Sequence, residues 1–193
     1  MIVVIDNFDS FTFNLVAILK KNAVDVAVLD NKISVEEVVK LQPDAVLLSP
    51  GPSLPKDSNN LLAIIDAFWG VKPLLGVCLG MQALVEYSGG SLKKLQVPKH
   101  GKVTTFTNVT DSDLYKGLSE EKVEVVRYHS WCVDTLPDSF EITAMAEDGA
   151  VMSVESEKYQ VVGIQYHPES ILTKNGEQIL NNWLRKTNII PTF

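Results

Sequence analysis

Leu74-Leu75-Gly76-Val77-Cys78-Leu79-Gly80-Met81-Gln82-Ala83 decides how the rest of the sequence is read. Its apolar first half reads as a buried strand that stops at a Gly-x-Cys-x-Gly turn. Helical spacing of Leu79, Gln82, Ala83, Leu84, Glu86 and Tyr87 follows at once. Glycines two residues either side of a central residue let a strand reverse sharply into a helix, because neither brings a Cβ into the bend. The central side chain is then held out at the turn. A cysteine there sits at a helix N-terminus, where unpaired N–H groups and the positive dipole end favour thiolate over thiol. Cys78 is thus either a nucleophile or a small buried cysteine between two packing glycines, and the remaining residues decide between them.

Upstream, Ile2 to Ile5 is an apolar run expected of a strand covered on both faces. Asp6-Asn7-Phe8-Asp9-Ser10 forms a polar turn, with Asp9 or Ser10 as N-cap of a helix through Phe11, Leu15, Ile18 and Leu19. Val24 to Leu29 reads as a second strand, Ser34 and Glu37 as a capping box, and Ala45 to Leu48 as a third strand. The stiff Ser49-Pro50-Gly51-Pro52-Ser53-Leu54-Pro55 loop follows, then a helix from Asn59 to Trp69. Alternating β and α elements predict a mostly parallel sheet with helices on both faces.

Downstream of Ser91 the reading becomes β-rich, over Val103 to Val109, Val123 to Arg127, Ile142 to Glu147 and Val151 to Val154. Hairpins here predict a small antiparallel addition to a mixed sheet. Val161 to Gln165 is a further strand, and Gly176 to Lys186 a last amphipathic helix. The expected fold class is α/β with flavodoxin-like layering, in a single domain over 1–193.

Lys and Arg total 17 against 24 Asp and Glu, a net charge of -7, which argues against nucleic-acid or anionic-membrane partners. The N-terminus lacks a basic leader and no apolar run reaches the roughly 20 residues of a membrane span, so a cytoplasmic protein is expected. Its cysteines, Cys78 and Cys132, read there as a reactive thiol or buried side chains. No metal-ligand cluster stands out, and no cofactor is expected.

Ligands of open α/β sheets bind beyond the carboxyl ends of the strands. Cys78, the Pro50 to Pro55 loop, the Asp6 to Thr12 loop and His167-Pro168-Glu169 all follow strands and can gather there. A cysteine nucleophile needs a base and a group that orients the base. His167 and Glu169 stand two apart, on the same side of an extended backbone. His100 and His129 are weaker candidates, lacking such a neighbour. An attacked carbonyl becomes an oxyanion, for which the N–H of Leu79 is the elbow's donor and Gly51, the only N–H between Pro50 and Pro52, the second candidate.

Ser49-Pro50-Gly51-Pro52, Gly76-Val77-Cys78-Leu79-Gly80 with Gln82, and Gly163-Ile164-Gln165-Tyr166-His167-Pro168-Glu169-Ser170 together resemble the triad-type (class I) glutamine amidotransferases, nearly end to end. The Asp6 to Asn14 stretch and Tyr128-His129-Ser130 are similar to the amidotransferase subunits of anthranilate synthase and aminodeoxychorismate synthase. The resemblance implies a Cys78-His167-Glu169 triad hydrolysing L-glutamine, with an oxyanion hole at Gly51 and Leu79. It places glutamine contacts at Gly51, Pro52, Ser53, Gln82, Ser130 and Trp131. Ammonia would pass to a separate chorismate-binding synthase subunit, which would hold the magnesium. Anthranilate synthase is the leading expectation; aminodeoxychorismate synthase, or a subunit shared by both, is the alternative. Remoter still are a stand-alone glutamyl hydrolase and a silent regulatory subunit. The sequence departs from the family at Ser53, where glycine is usual, and at Met81, where histidine is commonest. The elbow-side loops with Asp9, Ser10 and Met81 are the expected partner surface.

Overall fold

The structure, a computed structural model, describes residues 1–108, 110–118 and 122–192. In β1 (Ile2–Asp6), Ile2 and Val4 enter one apolar cluster while Val3 and Ile5 enter a second, all four fully buried. Successive strand side chains point to opposite faces, so an unbroken apolar run requires a core on each side. β2 (Val26–Asp30), β3 (Ala45–Leu48), β4 (Leu74–Val77) and β9 (Val161–Ile164) join β1 in parallel, in the order β2-β1-β3-β4-β9. Leu15 and Leu19 of α1 (Thr12–Lys21) and Ile179 and Trp183 of α5 (Gly176–Lys186) fill the first cluster. The second is filled from α2 (Val35–Lys40), α3 (Leu61–Phe68) and α4 (Leu79–Tyr87).

Beyond β9 the same sheet continues antiparallel through β8 (Val151–Ser156), β7 (Glu141–Ala146), β5 (Ser91–Asn108) and β6 (Lys122–Thr135). The mixed α/β sheet with helices on both faces is therefore as expected, and its antiparallel part is longer than the apolar runs suggested. From Ser91 to Thr105, β5 pairs only with β6, in a largely exposed ribbon interrupted between Lys94 and Lys99. Such a ribbon needs no apolar alternation, so only its buried end was visible. Val109, the expected end of that run, lies outside the described residues.

Local chemistry moved three boundaries. Asp9 accepts from Phe11 N at 2.8 Å and Asp6 from Thr12 Oγ1 at 2.7 Å, so these carboxylates tie down the loop and α1 starts at Thr12, with Phe11 as an N-cap lacking a side-chain bond. Asn59 adopts φ +48, which ends any helix there, and α3 begins at Leu61. β2 begins at Val26, two residues later than expected. The Ser34–Glu37 capping box and the span of α5 are as expected. Among the described residues no helix is long and apolar enough to cross a membrane.

Candidate active site

The elbow is built on two close approaches. A Cβ on Gly76 would stand 2.4 Å from the Gly80 carbonyl carbon, and one on Gly80 would stand 2.3 Å from the Leu48 oxygen of β3. The first glycine lets the helix fold back on its own strand; the second lets it settle on the neighbouring one. Neither takes a positive φ. The strain falls on Cys78 itself, at φ +52 and ψ −102, a conformation that costs an L-residue on the order of 1–3 kcal/mol. Cys78 N donates to Ile164 O of β9 at 2.8 Å and Cys78 O accepts from Gln82 N at 3.1 Å, which hold it there.

The turn that follows β9 carries the second part of the site: Ser170 N donates to His167 O at 3.3 Å, so His167-Pro168-Glu169 is bent and not the extended segment expected. His167 is buried, and its Nδ1 lies 2.6 Å from Glu169 Oε1. A carboxylate only accepts, so Nδ1 carries the proton and Nε2 is left as the basic atom. That Nε2 is buried without a hydrogen-bond partner among the described residues. Burial works against a charged ring, but the Cys78 side chain and then Glu169 outweigh it and raise the His167 pKa to about 10. The sulfur, as thiolate, is thus near enough to favour the charged imidazole without a formed bond, as is common before substrate arrives, and Nε2 is the basic atom of the neutral pair. Phe11 and Tyr128 stand edge-on to the ring at 6.0 and 5.2 Å between centroids. Thr173 clamps the segment: its Oγ1 donates to His167 O at 2.8 Å and accepts from Val126 N at 3.1 Å.

The proline loop supplies the third part. A Cβ on Gly51 would stand 2.5 Å from Leu79 Cδ2 and 2.7 Å from Asn7 Cβ, so Gly51 and Leu79 are in contact. Among the described residues neither N–H donates to a protein acceptor, leaving two free donors beside Cys78. A ladder of amides fixes the loop. Asn59 donates to Asn31 at 2.6 Å, Asn31 to Asn7 at 2.9 Å, and Asn7 to Ser49 O at 2.8 Å. Pro52 and Ser53 are exposed at its outer edge.

β6 forms the last wall. Tyr128 O lies 4.0 Å from Cys78 Sγ, and Trp131 O accepts from Gln82 Nε2 at 2.9 Å. Ser130 and Trp131 are half-buried between these points. His129 lies within the strand, buried, with Nδ1 2.7 Å from Trp131 O and Nε2 accepting from Arg127 Nε at 2.9 Å. Burial lowers its pKa to about 4. A cysteine, a base with its orienting carboxylate, and two free N–H groups, one at a helix start and one in the proline loop, together constitute machinery for acyl transfer.

The family model for class-I glutamine amidotransferases matches residues 3–187. The chain belongs to this family. It is 41% identical over 192 residues to anthranilate synthase component 2 of Lactococcus lactis, covering 97% of this chain and 96% of that one. It is 38% identical to aminodeoxychorismate synthase component 2 of Klebsiella aerogenes, covering 96% and 100%. Among solved structures, a proposed GMP synthase subunit of Thermoplasma acidophilum superimposes with a TM-score of 0.87 at 25% identity, covering 97% of this chain and 94% of that one.

Within this amidotransferase, Met81 does not belong to a partner surface. It is fully buried, and its Cγ would lie 2.7 Å from a Cβ on Gly163, so it fills the space that glycine leaves under β9. Asp9 is half-buried and Ser10 exposed. Sequence reasoning missed Asn7, Asn31, Thr173 and the Arg127–His129 pair. The last had a visible signal, since residues two apart on a strand share a face. The amide ladder and Thr173 had none.

Proposed function

We propose that this chain is the glutaminase subunit of a chorismate-aminating synthase, hydrolysing L-glutamine and passing ammonia to a chorismate-binding partner. The observation that carries the reading is the 2.6 Å His167–Glu169 contact, which leaves an unpartnered basic Nε2 beside the strained Cys78. Cys78 Sγ attacks the side-chain amide carbon as His167 Nε2 takes the thiol proton. Gly51 N–H and Leu79 N–H receive the oxyanion. His167 then protonates the departing nitrogen, releasing ammonia and leaving a glutamyl thioester. Water, deprotonated by the same imidazole, cleaves the thioester to glutamate and restores the thiol. Glu169 holds the ring throughout.

Pro52, Ser53, Ser130 and Trp131 line the glutamine backbone in this reading. The Gln82 NH2 group already serves Trp131 O and Gln165 Oε1, which leaves its oxygen for the substrate ammonium. Ser53 still offers an N–H where the family has glycine. Support for a partner comes from the near-full-length match to two proteins named component 2, and from exposed Phe8, Phe13, Ile171 and Leu172 on the segments that carry the site. The magnesium of such a synthase would sit in the partner. The cytoplasm suits two buried, unpaired thiols.

Anthranilate synthase is the first reading; the Klebsiella relative gives a second, in which the chain serves aminodeoxychorismate synthase or both enzymes. The test is to recover the chain with its native partner, supply glutamine, chorismate and magnesium, and identify the aminated product by mass spectrometry. Anthranilate supports the first reading, aminodeoxychorismate the second, and both products a shared subunit. Neither product, with glutamine still hydrolysed, overturns the chorismate assignment.

A further inference from the structure

Gln165 is fully buried between β9 and His167, and the reaction scheme gives it no task. Its Nε2 lies 3.6 Å from Cys78 Sγ and its Oε1 3.2 Å from Gln82 Nε2. The two ends of a side-chain amide look alike, so which one faces the sulfur must be decided by the surroundings. Here the surroundings decide it.

Arg127, fully buried on β6 and paired through Nη1 with Asp148 at 2.9 Å, can only donate. Its Nε therefore makes His129 Nε2 an acceptor and leaves the imidazole proton on Nδ1, which donates to Trp131 O. A carbonyl only accepts, so Gln82 must turn its NH2 group toward Trp131 O. The second proton of that NH2 goes to Gln165, which must present oxygen to Gln82. Gln165 is then left with its NH2 facing Cys78. His129 Nδ1 and Gln82 Nε2 converge on the Trp131 carbonyl, and it is this carbonyl, unable to donate, that orients Gln82 and through it leaves a donor at the sulfur.

We propose that Gln165 is a positioning residue for the nucleophile: its amide donates to Cys78 Sγ, holding the sulfur and favouring the thiolate, with a direction imposed by the Trp131 carbonyl through Gln82. This rests on Cys78 being the nucleophile. A donor to an anion is worth more than one to a neutral group, so the contact strengthens as the thiol ionises. The same amide keeps the sulfur from rotating away from His167 while leaving its outer lone pairs free for the substrate.

The test uses the full chain and iodoacetamide, a small uncharged electrophile that needs no glutamine site. Alkylation at Cys78 is followed by peptide mass spectrometry at about pH 8, where an introduced carboxylate is ionised. Gln165→Met keeps length and removes the donor; it is expected to react about fivefold more slowly. Glutaminase kcat is expected to fall about tenfold with KM within about threefold. Gln165→Glu keeps the shape and the bond to Gln82 but turns an acceptor to the sulfur, and is expected to be at least as slow. It carries the test should Gln165→Met not fold. A purely structural role makes the opposite prediction, since loosening this buried site exposes the sulfur and speeds alkylation. A folded variant of either kind that reacts at the wild-type rate or faster overturns the proposal. If the wild-type chain, assayed with its native partner, shows no glutaminase activity while the alkylation contrast persists, the functional reading falls and the role of Gln165 stands.

Discussion

The carbonyl oxygen of Pro168 lies 1.8 Å from the point where a Cβ on Gly176 would stand. The first residue of α5 is thus seated directly on the backbone between His167 and Glu169, and Gly176 N donates to Thr173 O at 3.1 Å to close the turn. The helix that fills one core also sets the height of His167, the proposed base. Gly176→Ala must push these apart, because the obstacle is backbone and cannot rotate away. Overpacking of this kind costs about 1–3 kcal/mol. We expect a lower midpoint in urea unfolding together with a drop of at least about tenfold in glutaminase kcat, since small displacements of a catalytic group are costly.

The strain at Cys78 predicts an inversion of the usual glycine penalty. Cys78→Ala and Cys78→Gly both remove the thiol, so both should abolish glutamine-dependent product while leaving synthesis from ammonia by the partner intact. Elsewhere in a structured segment glycine is less stable than alanine by roughly 0.5–1 kcal/mol. At φ +52 and ψ −102 it relieves strain instead. Urea unfolding should therefore place Cys78→Gly above Cys78→Ala by about 1 kcal/mol; the reverse order would mean that the elbow is not strained.

What the sequence made legible was whatever a few adjacent residues encode. Gly76, Cys78 and Gly80 form one turn, and His167 and Glu169 stand two apart in another, so their chemistry could be read without knowing the sheet, although the extended backbone expected between the latter pair is a turn. Asn7, Asn31 and Ser49 are ordinary turn residues until β1, β2 and β3 lie side by side, as β2-β1-β3, and bring their carboxyl ends together. Thr173 matters only because β6 passes beneath it. The long β5–β6 ribbon escaped notice for a related reason: its exposed faces carry Lys93 and Lys94, where a buried strand would carry alternating apolar residues.

Glu169 is assigned to the base and not to the substrate, and the two roles separate in kinetics. Its Oε1 fixes the His167 ring and favours the imidazolium. Glu169→Gln keeps the shape but loses the charge, so the ring is held less firmly and its raised pKa falls. The expected result is a kcat lowered by about 10- to 100-fold with KM for glutamine little changed. A large rise in KM at constant kcat would instead assign Glu169 to substrate binding.

His129 gives the fold an acid-sensitive point that belongs to none of the three proposed catalytic side chains. Its folded-state pKa is lowered to about 4, first by burial and further by the Arg127 and His167 charges, with the Trp131 carbonyl partly opposing. In the unfolded chain the ring titrates near 6.5. Between these values the unfolded state binds the extra proton, so stability falls as the pH drops from about 6.5 to 4 and is unaffected by this group above that window. The full loss is on the order of 3 kcal/mol. Protonation would also place a charge against Arg127 and break the Nε–Nε2 bond that orients the ring. His129→Asn, which retains an N–H for Trp131 O without a titrating ring, should flatten the dependence of unfolding free energy on pH across that window. Equal slopes for the variant and the wild type would show that the acid sensitivity arises elsewhere.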